Sequence, residues 1–229
     1  MNLTPEQIRG ILIYVFVLLI SVALHEFGHA IVADKLGDDT PRRQGRVTLN
    51  PLAHADVIGT LVLPLAGSLF AAAGGFAGGF GWGKPVEWQP HRVSRRWSMS
   101  TAKILVAIAG PGMNLLLAIV IAFVHTLLLS QDVLARSGAV HQVLLRAALI
   151  NAVLFFFNLL PVPPLDGGHV AQSFMPYRYR DQYNQIARFA PFALLALLCV
   201  PELRVVFTWP AQHVVVYLYE GFGRVFGVA

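Results

Sequence analysis

Apolar positions fall in long runs rather than in alternation. Five runs stand out, at about residues 8–33, 57–80, 103–130, 143–160 and 186–226. A bilayer is crossed by roughly 20 apolar residues in a helix, and a helix satisfies its own backbone groups in lipid. The pattern predicts an all-α polytopic membrane protein. The last run holds Pro191, Pro201 and Pro210, with Glu202 and Arg204 between them, and reads as two spans turning near 201–209. The second run differs: Pro64 and Gly67 break it, and it ends in the glycine series of "AAAGGFAGGFGWG".

Charge orients the runs, because short loops rich in Lys and Arg stay cytoplasmic. Lys35, Arg42, Arg43 and Arg46 precede the second run, and Lys84, Arg92, Arg95, Arg96 and Lys103 follow it. Both flanks being basic, 57–80 is expected to be re-entrant, dipping in and returning to the same side. Five spans then remain, with the N-terminus outside and the C-terminus inside. Arg178, Arg180 and Arg188 fall inside, and only Arg9, Arg136, Arg146 and Arg204 outside.

Composition agrees. Of 229 residues, 56% are hydrophobic and 13% charged, against about a quarter charged in soluble domains. No polar stretch much exceeds about 25 residues, so 1–229 reads as a single integral membrane domain. The net charge of +5 fits basic cytoplasmic loops better than nucleic-acid binding. A lone cysteine, Cys199, excludes an internal disulfide and a cysteine zinc cluster. "MNLTPEQIRG" lacks the basic start of a signal peptide, and the run behind it is expected to be retained.

That first run ends in "LHEFGHA", residues 24–30. His25 and His29, four apart, share one helix face and suit two ligands of one zinc ion. Glu26, about 100° round the helix, can reach a zinc-activated water as general base without being a ligand. Ionisable groups at bilayer depth are costly and mark function. At 1.5 Å per residue, His25 lies about 26 Å from Ile8 and about 12 Å from Ala33, below the inner surface, so a polar access path from the cytoplasmic side is implied. A third protein ligand is needed. Asp166, in "NLLPVPPLDGGH", is the strongest candidate; Pro161, Pro163 and Pro164 break the helix and leave extended backbone before it, and Gly167 and Gly168 allow a tight turn at the metal. A helix-ending turn capped by Asp166 is the alternative.

With "HEFGH" (25–29), "NLLPVPPLDGG" (158–168) and "AGPGMN" (109–114), the sequence resembles the site-2 protease family of intramembrane zinc metalloproteases. "NPLAHADVIGT" (50–60) and "GWGKPV" (81–86) are similar to its compact prokaryotic members, and no PDZ or CBS module is present. The resemblance, over about residues 10–175, implies one zinc per chain held by His25, His29 and Asp166. It implies that Glu26 activates the water that attacks a peptide carbonyl, and that Asn158 lies along the substrate cleft, where its amide can hold substrate backbone or the developing oxyanion. It implies a three-span catalytic core at about 8–33, 103–130 and 143–168, transmembrane protein substrates in a lipid bilayer, and a multi-pass place in a prokaryotic cell membrane with the active site toward the cytoplasm. Gly110, Pro111 and Gly112 read as close-packing residues, and Asn114 as structural or directly catalytic. The proline usual in the family's version of "HADVIGT" is missing. His54 there lines the cleft, binds a regulatory metal, or caps the turn at Asn50–Pro51. His169 assists near zinc or is interfacial. His91, His125, His141 and His213 read as bystanders. The competing reading from another class is a non-proteolytic zinc-binding membrane protein, a transporter or inactive scaffold; the base Glu26 argues against it. A zinc membrane protease with a glutamate as third ligand would need Glu202 or Glu220, and neither stands in a motif.

Overall fold

The computed structural model describes residues 3–72 and 81–228. Helix α1, Pro5–Lys35, begins at a capping box: the Thr4 side chain accepts from the Gln7 N–H, and the Gln7 side chain reaches back to Thr4. Pro5 fills the first turn, where its missing N–H costs nothing. The short α2, Thr40–Arg43, follows. A π-helical turn at Val57–Val62 runs into α3, Leu63–Ala72. The long α4, Met99–Ser130, is capped by Ser98, and α5 spans Ala139–Asn158. Short helices α6 (Asp166–Phe174), α7 (Arg180–Ala187) and α8 (Ala190–Cys199) lead to α9, Pro201–Phe226. No strand occurs among the described residues.

Three helices, α1, α4 and α5, are each long and apolar enough to cross a membrane. They pack through small side chains: Ala30, Ala33, Ala102, Ala118, Ala122, Ala148 and Ala152 are all fully buried. Lipid tails are as apolar as leucine, so close backbone approach rather than a large greasy core holds membrane helices together. Leu12, Phe16, Leu116 and Val120 point outward. The face of α1 turned inward carries Leu18, Ser21, Val22, His25, Glu26 and His29, all buried.

The C-terminal region corrects the five-span count. Helix α8 has only 10 residues, about 15 Å of helix, too short to span. Pro201 starts α9 at an 81° bend to α8, so the pair supplies one broken span at most, and the described residues hold three or four spans by length and composition. The turn falls at Val200 rather than within 201–209. Helix α5 runs antiparallel to α4, Asn114 meeting Asn151 and His125 meeting His141. Helix α9 runs antiparallel to α5, Phe157 meeting Phe207 while Ala152 packs with Ala211 and Val215. Helix α9 therefore points the same way as α4, beside which Phe222, Phe226 and Tyr219 meet Phe123 and His125. The C-terminus therefore emerges at the end of the bundle where α4 ends and α1 begins, beside the N-terminus and not opposite it. Arg204, at the start of α9, moves to the other end with the site.

The two flanks of 57–80 lie side by side. The Trp82 N–H donates to the Gly59 carbonyl at 3.1 Å, the Lys84 N–H to the His54 carbonyl at 2.9 Å, and the Thr60 hydroxyl to the Trp82 carbonyl at 2.8 Å. Trp82 lies flat on Gly59, where any side chain would collide with the indole. Of the segment expected to be re-entrant, residues 73–80 lie outside the described residues. The prolines before Asp166 do not leave extended, unpaired backbone. Residues 160–168 close successive turns, with Val162 donating to Leu160, Leu165 to Val162 and Gly168 to Leu165.

Candidate active site

Helix α1 brings His25 and His29 to one face, their Nε2 atoms 3.1 Å apart. Asp166, the first residue of α6, places Oδ2 at 3.1 Å from His25 Nε2 and Oδ1 at 3.4 Å from His29 Nε2. These are the only three ligand-type side chains so gathered among the described residues. Their protons are assigned by what stands behind them. His25 Nδ1 lies 2.7 Å from the Asn114 oxygen, and His29 Nδ1 lies 2.7 Å from the Val106 carbonyl. Both partners only accept, so each Nδ1 carries the hydrogen and each Nε2 presents a lone pair. The buried Asp166 Oδ2 has no hydrogen-bond donor. Three lone-pair donors thus face one point with no proton between them, a set that suits a divalent cation such as zinc.

Gly110 on α4 faces that point. A Cβ there would lie 2.3 Å from His29 Nε2 and 2.7 Å from His25 Nε2. Its role goes beyond the helix packing expected from "AGPGMN", whereas Gly112 has open space around it. Pro111 cannot donate to the Ala107 carbonyl, so the α4 hydrogen-bond ladder is broken one residue from Val106.

Glu26 is buried beside the triad. The Val86 N–H donates to its Oε2 at 3.1 Å. Val86 belongs to a helix-free segment, 81–89, laid along α1: a Cβ on Gly83 would lie 2.7 Å from Val22 Cγ1 and 3.0 Å from Glu26 Cγ. Buried Arg46 holds this segment through the carbonyls of Ala53, Lys84 and Pro85. Buried Asp38 holds its far end, accepting the Gln89 N–H. Burial pushes the Asp38 carboxyl up, but hydrogen bonds from Gln89 and Thr40 outweigh it and leave the group below its ordinary value.

A cavity of about 900 Å³ joins these parts. His25, Glu26, His29, Asn114, Asn158, Asp166 and His169 line it, with apolar walls from Trp82, Val86 and Trp88 on one side and Leu154, Phe157, Leu194 and Leu198 on the other. Asn158 sits in the wall with its amide N–H on the Leu154 carbonyl at 2.9 Å. His169 is exposed at the rim. Asn114 stands behind His25, as a partner of that imidazole. His54 is not among the lining residues: its fully buried ring reaches the Thr48 carbonyl at 2.9 Å, and its own carbonyl receives Lys84. Burial lowers its pKa. His125 and His141 are not bystanders. His125 is fully buried, 2.8 Å from the Tyr219 hydroxyl and 3.0 Å from His141, and ties α4, α5 and α9 together far from the triad. Sequence reasoning did not single out Asn151, Arg46 or Asp38; the one available signal was a polar side chain inside an apolar run, and only Asn151 offered it.

The pattern of "Peptidase family M50" matches residues 127–199, which include Asn158 and Asp166. The chain is similar to "Putative zinc metalloprotease YwhC" of Bacillus subtilis (strain 168), 37% identical over 201 residues, 86% of this chain and 84% of that protein. It is also similar to the proteins of the same description named Rip2, at 32% identity in Mycobacterium tuberculosis (strain ATCC 25618 / H37Rv), over 81% of this chain and 66% of that one. For Rip2 of Mycolicibacterium smegmatis (strain ATCC 700084 / mc(2)155) the identity is 34%, over 72% and 59%. No solved structure matches. On its motifs and on the relative matched over most of both lengths, the chain belongs to peptidase family M50, the site-2 protease family, and is a zinc metallopeptidase.

Proposed function

We propose that the chain is an intramembrane endopeptidase that hydrolyses peptide bonds within or near transmembrane segments of other membrane proteins. The observation that supports this best is the convergence of His25, His29, Asp166 and Glu26 on one cavity set among three apolar spans. One zinc per chain fits the single triad. When bound there, zinc supplies Lewis acidity to the peptide carbonyl and lowers the pKa of the attacking water. Glu26 takes the proton of that water on the oxygen not held by Val86 and passes it to the leaving amine. Its neighbour Gly83 leaves room for the carboxylate to act. The apolar walls fit the side chains of a membrane-spanning substrate, which must unwind to expose a carbonyl that a helix keeps bonded. Asn158 holds the unwound backbone through the amide atoms that Leu154 leaves unused.

The site faces the cytoplasm. Arg9, Arg136, Arg146 and Arg224 lie at the end holding both termini; the other 13 of the 17 Lys and Arg (17 − 4) lie at the end holding the site. Short basic loops stay inside, and a prokaryotic cell membrane fits the bacterial sources of the relatives. The test uses the detergent-solubilised chain and a peptide that spans a transmembrane segment. We expect about one zinc per chain, cleavage by wild type, and none by Glu26→Gln with zinc retained. Cleavage by Glu26→Gln at the wild-type rate overturns the assignment.

A further inference from the structure

Behind His25 a relay of amides crosses three spans. Asn151 on α5 and Asn114 on α4 are both fully buried. The Asn151 Nδ2 donates to the Ala147 carbonyl at 2.8 Å, which turns its oxygen toward α4. That oxygen accepts from Asn114 Nδ2 at 3.1 Å. The same Nδ2 donates to the Ser21 carbonyl on α1 at 3.1 Å. Both amide hydrogens of Asn114 are thereby committed, and its oxygen is left facing His25 Nδ1.

We infer that Asn151, which touches neither a ligand nor the cavity, sets the tautomer of His25 and with it the affinity of the site for zinc. An oxygen only accepts, so His25 must carry its hydrogen on Nδ1 and offer Nε2 as a lone pair. With the Asn114 amide reversed, its oxygen would face the Ser21 carbonyl and the Asn151 oxygen, two contacts between acceptors. Its NH₂ would then face Nδ1, and the His25 hydrogen would move to Nε2, into the position that must bind metal. Ser21 contributes a backbone carbonyl that no substitution removes, so Asn151 is the half of the lock that the sequence controls. It is a positioning residue acting through Asn114, and the inference rests on the reading of His25 Nε2 as a zinc ligand.

Hydrogen-bond partners behind a ligating histidine are worth about 10- to 100-fold in metal affinity. Asn151 stands one step further back and shares the task with Ser21, so the low end, about tenfold, is expected. The test is zinc affinity of the full-length, detergent-solubilised chain by competition with a chelator. Asn151→Leu should bind zinc about tenfold more weakly while keeping its thermal unfolding profile in the metal-free state. Asn151→Asp should bind within about threefold of wild type, because a neutral carboxyl in this apolar site donates to Ala147 through its O–H and accepts from Asn114. The double variant Asn114→Ala/Asn151→Leu should be no weaker than Asn114→Ala, since Asn151 acts only through Asn114. A role in packing alone would lower stability, add to Asn114→Ala, and leave affinity per folded molecule unchanged. Wild-type affinity in Asn151→Leu, full additivity, or a tenfold loss in Asn151→Asp overturns the inference. Should Asn151→Leu not fold, Asn151→Ala carries the same expectation. A wild-type chain that binds no zinc sinks the zinc reading itself, and is distinguishable from zinc binding that ignores Asn151.

Discussion

Gly110→Ala is the sharpest single perturbation of the site. The new methyl carbon would lie 2.3 Å from His29 Nε2, 2.5 Å from His29 Cε1 and 2.7 Å from His25 Nε2. A zinc held by the two nitrogens sits about 2.0–2.1 Å from each, so the methyl claims nearly the volume of the metal. Non-bonded heavy atoms prefer roughly 3.5 Å or more, and the rings must retreat by about 1 Å. They can, being the ends of side chains, but only by loosening the 2.7 Å bonds to Asn114 and Val106. Overpacking costs about 1–3 kcal/mol, and each loosened hydrogen bond about 1 kcal/mol, a load a fold stabilised by about 5–15 kcal/mol survives. Zinc affinity has no such reserve: two ligands move at once, and the loss should exceed the roughly 100-fold ceiling for a partner behind the ligand. The assay is zinc per chain by elemental analysis, with thermal unfolding in the presence and absence of a chelator. The chelator should lower the Tm of wild type and leave Gly110→Ala unmoved, because only a bound ligand stabilises by mass action. Gly112→Ala, with nothing within 4 Å of the added carbon, should keep its metal. Stoichiometric zinc at wild-type affinity in Gly110→Ala would refute the placement of the metal between the two nitrogens and α4.

Asp166→Ala should lose most of its zinc, since a site with three protein ligands becomes one with two; full retention in the purified protein would move the third ligand elsewhere, with His169 at the cavity rim first in line. Asn158→Ala should keep zinc and fold but slow cleavage by roughly 10- to 1000-fold, the range for losing one transition-state donor. If its amide serves only the Leu154 carbonyl, stability will fall and the rate per folded molecule will stay near wild type. Single cysteines at Arg43, Arg95 and Ser137 in a Cys199→Ser background, probed on whole cells with an impermeant thiol reagent, should be protected at 43 and 95 and labelled at 137; labelling at 95 without 43 would make 57–80 a true crossing.

Part of the candidate site was legible because its pattern is local. "HEFGH" sets two imidazoles on one helix face by spacing alone, and Asp166 stands out as a carboxylate at the edge of an apolar run. What lay behind the triad was not. Asn114 and Asn151 each announce only that a polar group is buried and bonded, and their partners lie 89 and 37 positions away. Gly110 looked like a packing residue because a missing side chain cannot say what fills its space. The prolines of "PVPPL" forbid helix equally well in an extended chain and in a series of turns, and the turns formed. At the C-terminus, hydropathy summed over 186–226 measured enough apolar length for two spans but could not register the 81° bend at Pro201 that spends α8 on the cavity wall. The His125–His141 pair escaped notice because no spacing rule links one helix end to the start of the next.

The separation of the triad residues along the chain bears on how the protein is made. Asp166 follows His29 by 137 positions (166 − 29), and even Val106 and Asn114 come 77 and 89 positions after the histidines they orient. During synthesis, α1 therefore enters the bilayer with two imidazoles and a carboxylate near its C-terminal end and none of their helix-α4 partners yet made. Each ionisable group costs up to about 3 kcal/mol at a helix centre, and proximity to the interface lowers that by letting side chains reach water. The nascent helix is thus expected to linger at the insertion machinery or the headgroup layer until α4 arrives, and the triad is complete only once α6 is made. Ribosome-bound chains stopped before residue 99 should accordingly be extracted from membranes more readily when they carry "HEFGH" than when His25, Glu26 and His29 are all leucine, and chains stopped after residue 130 should lose that difference.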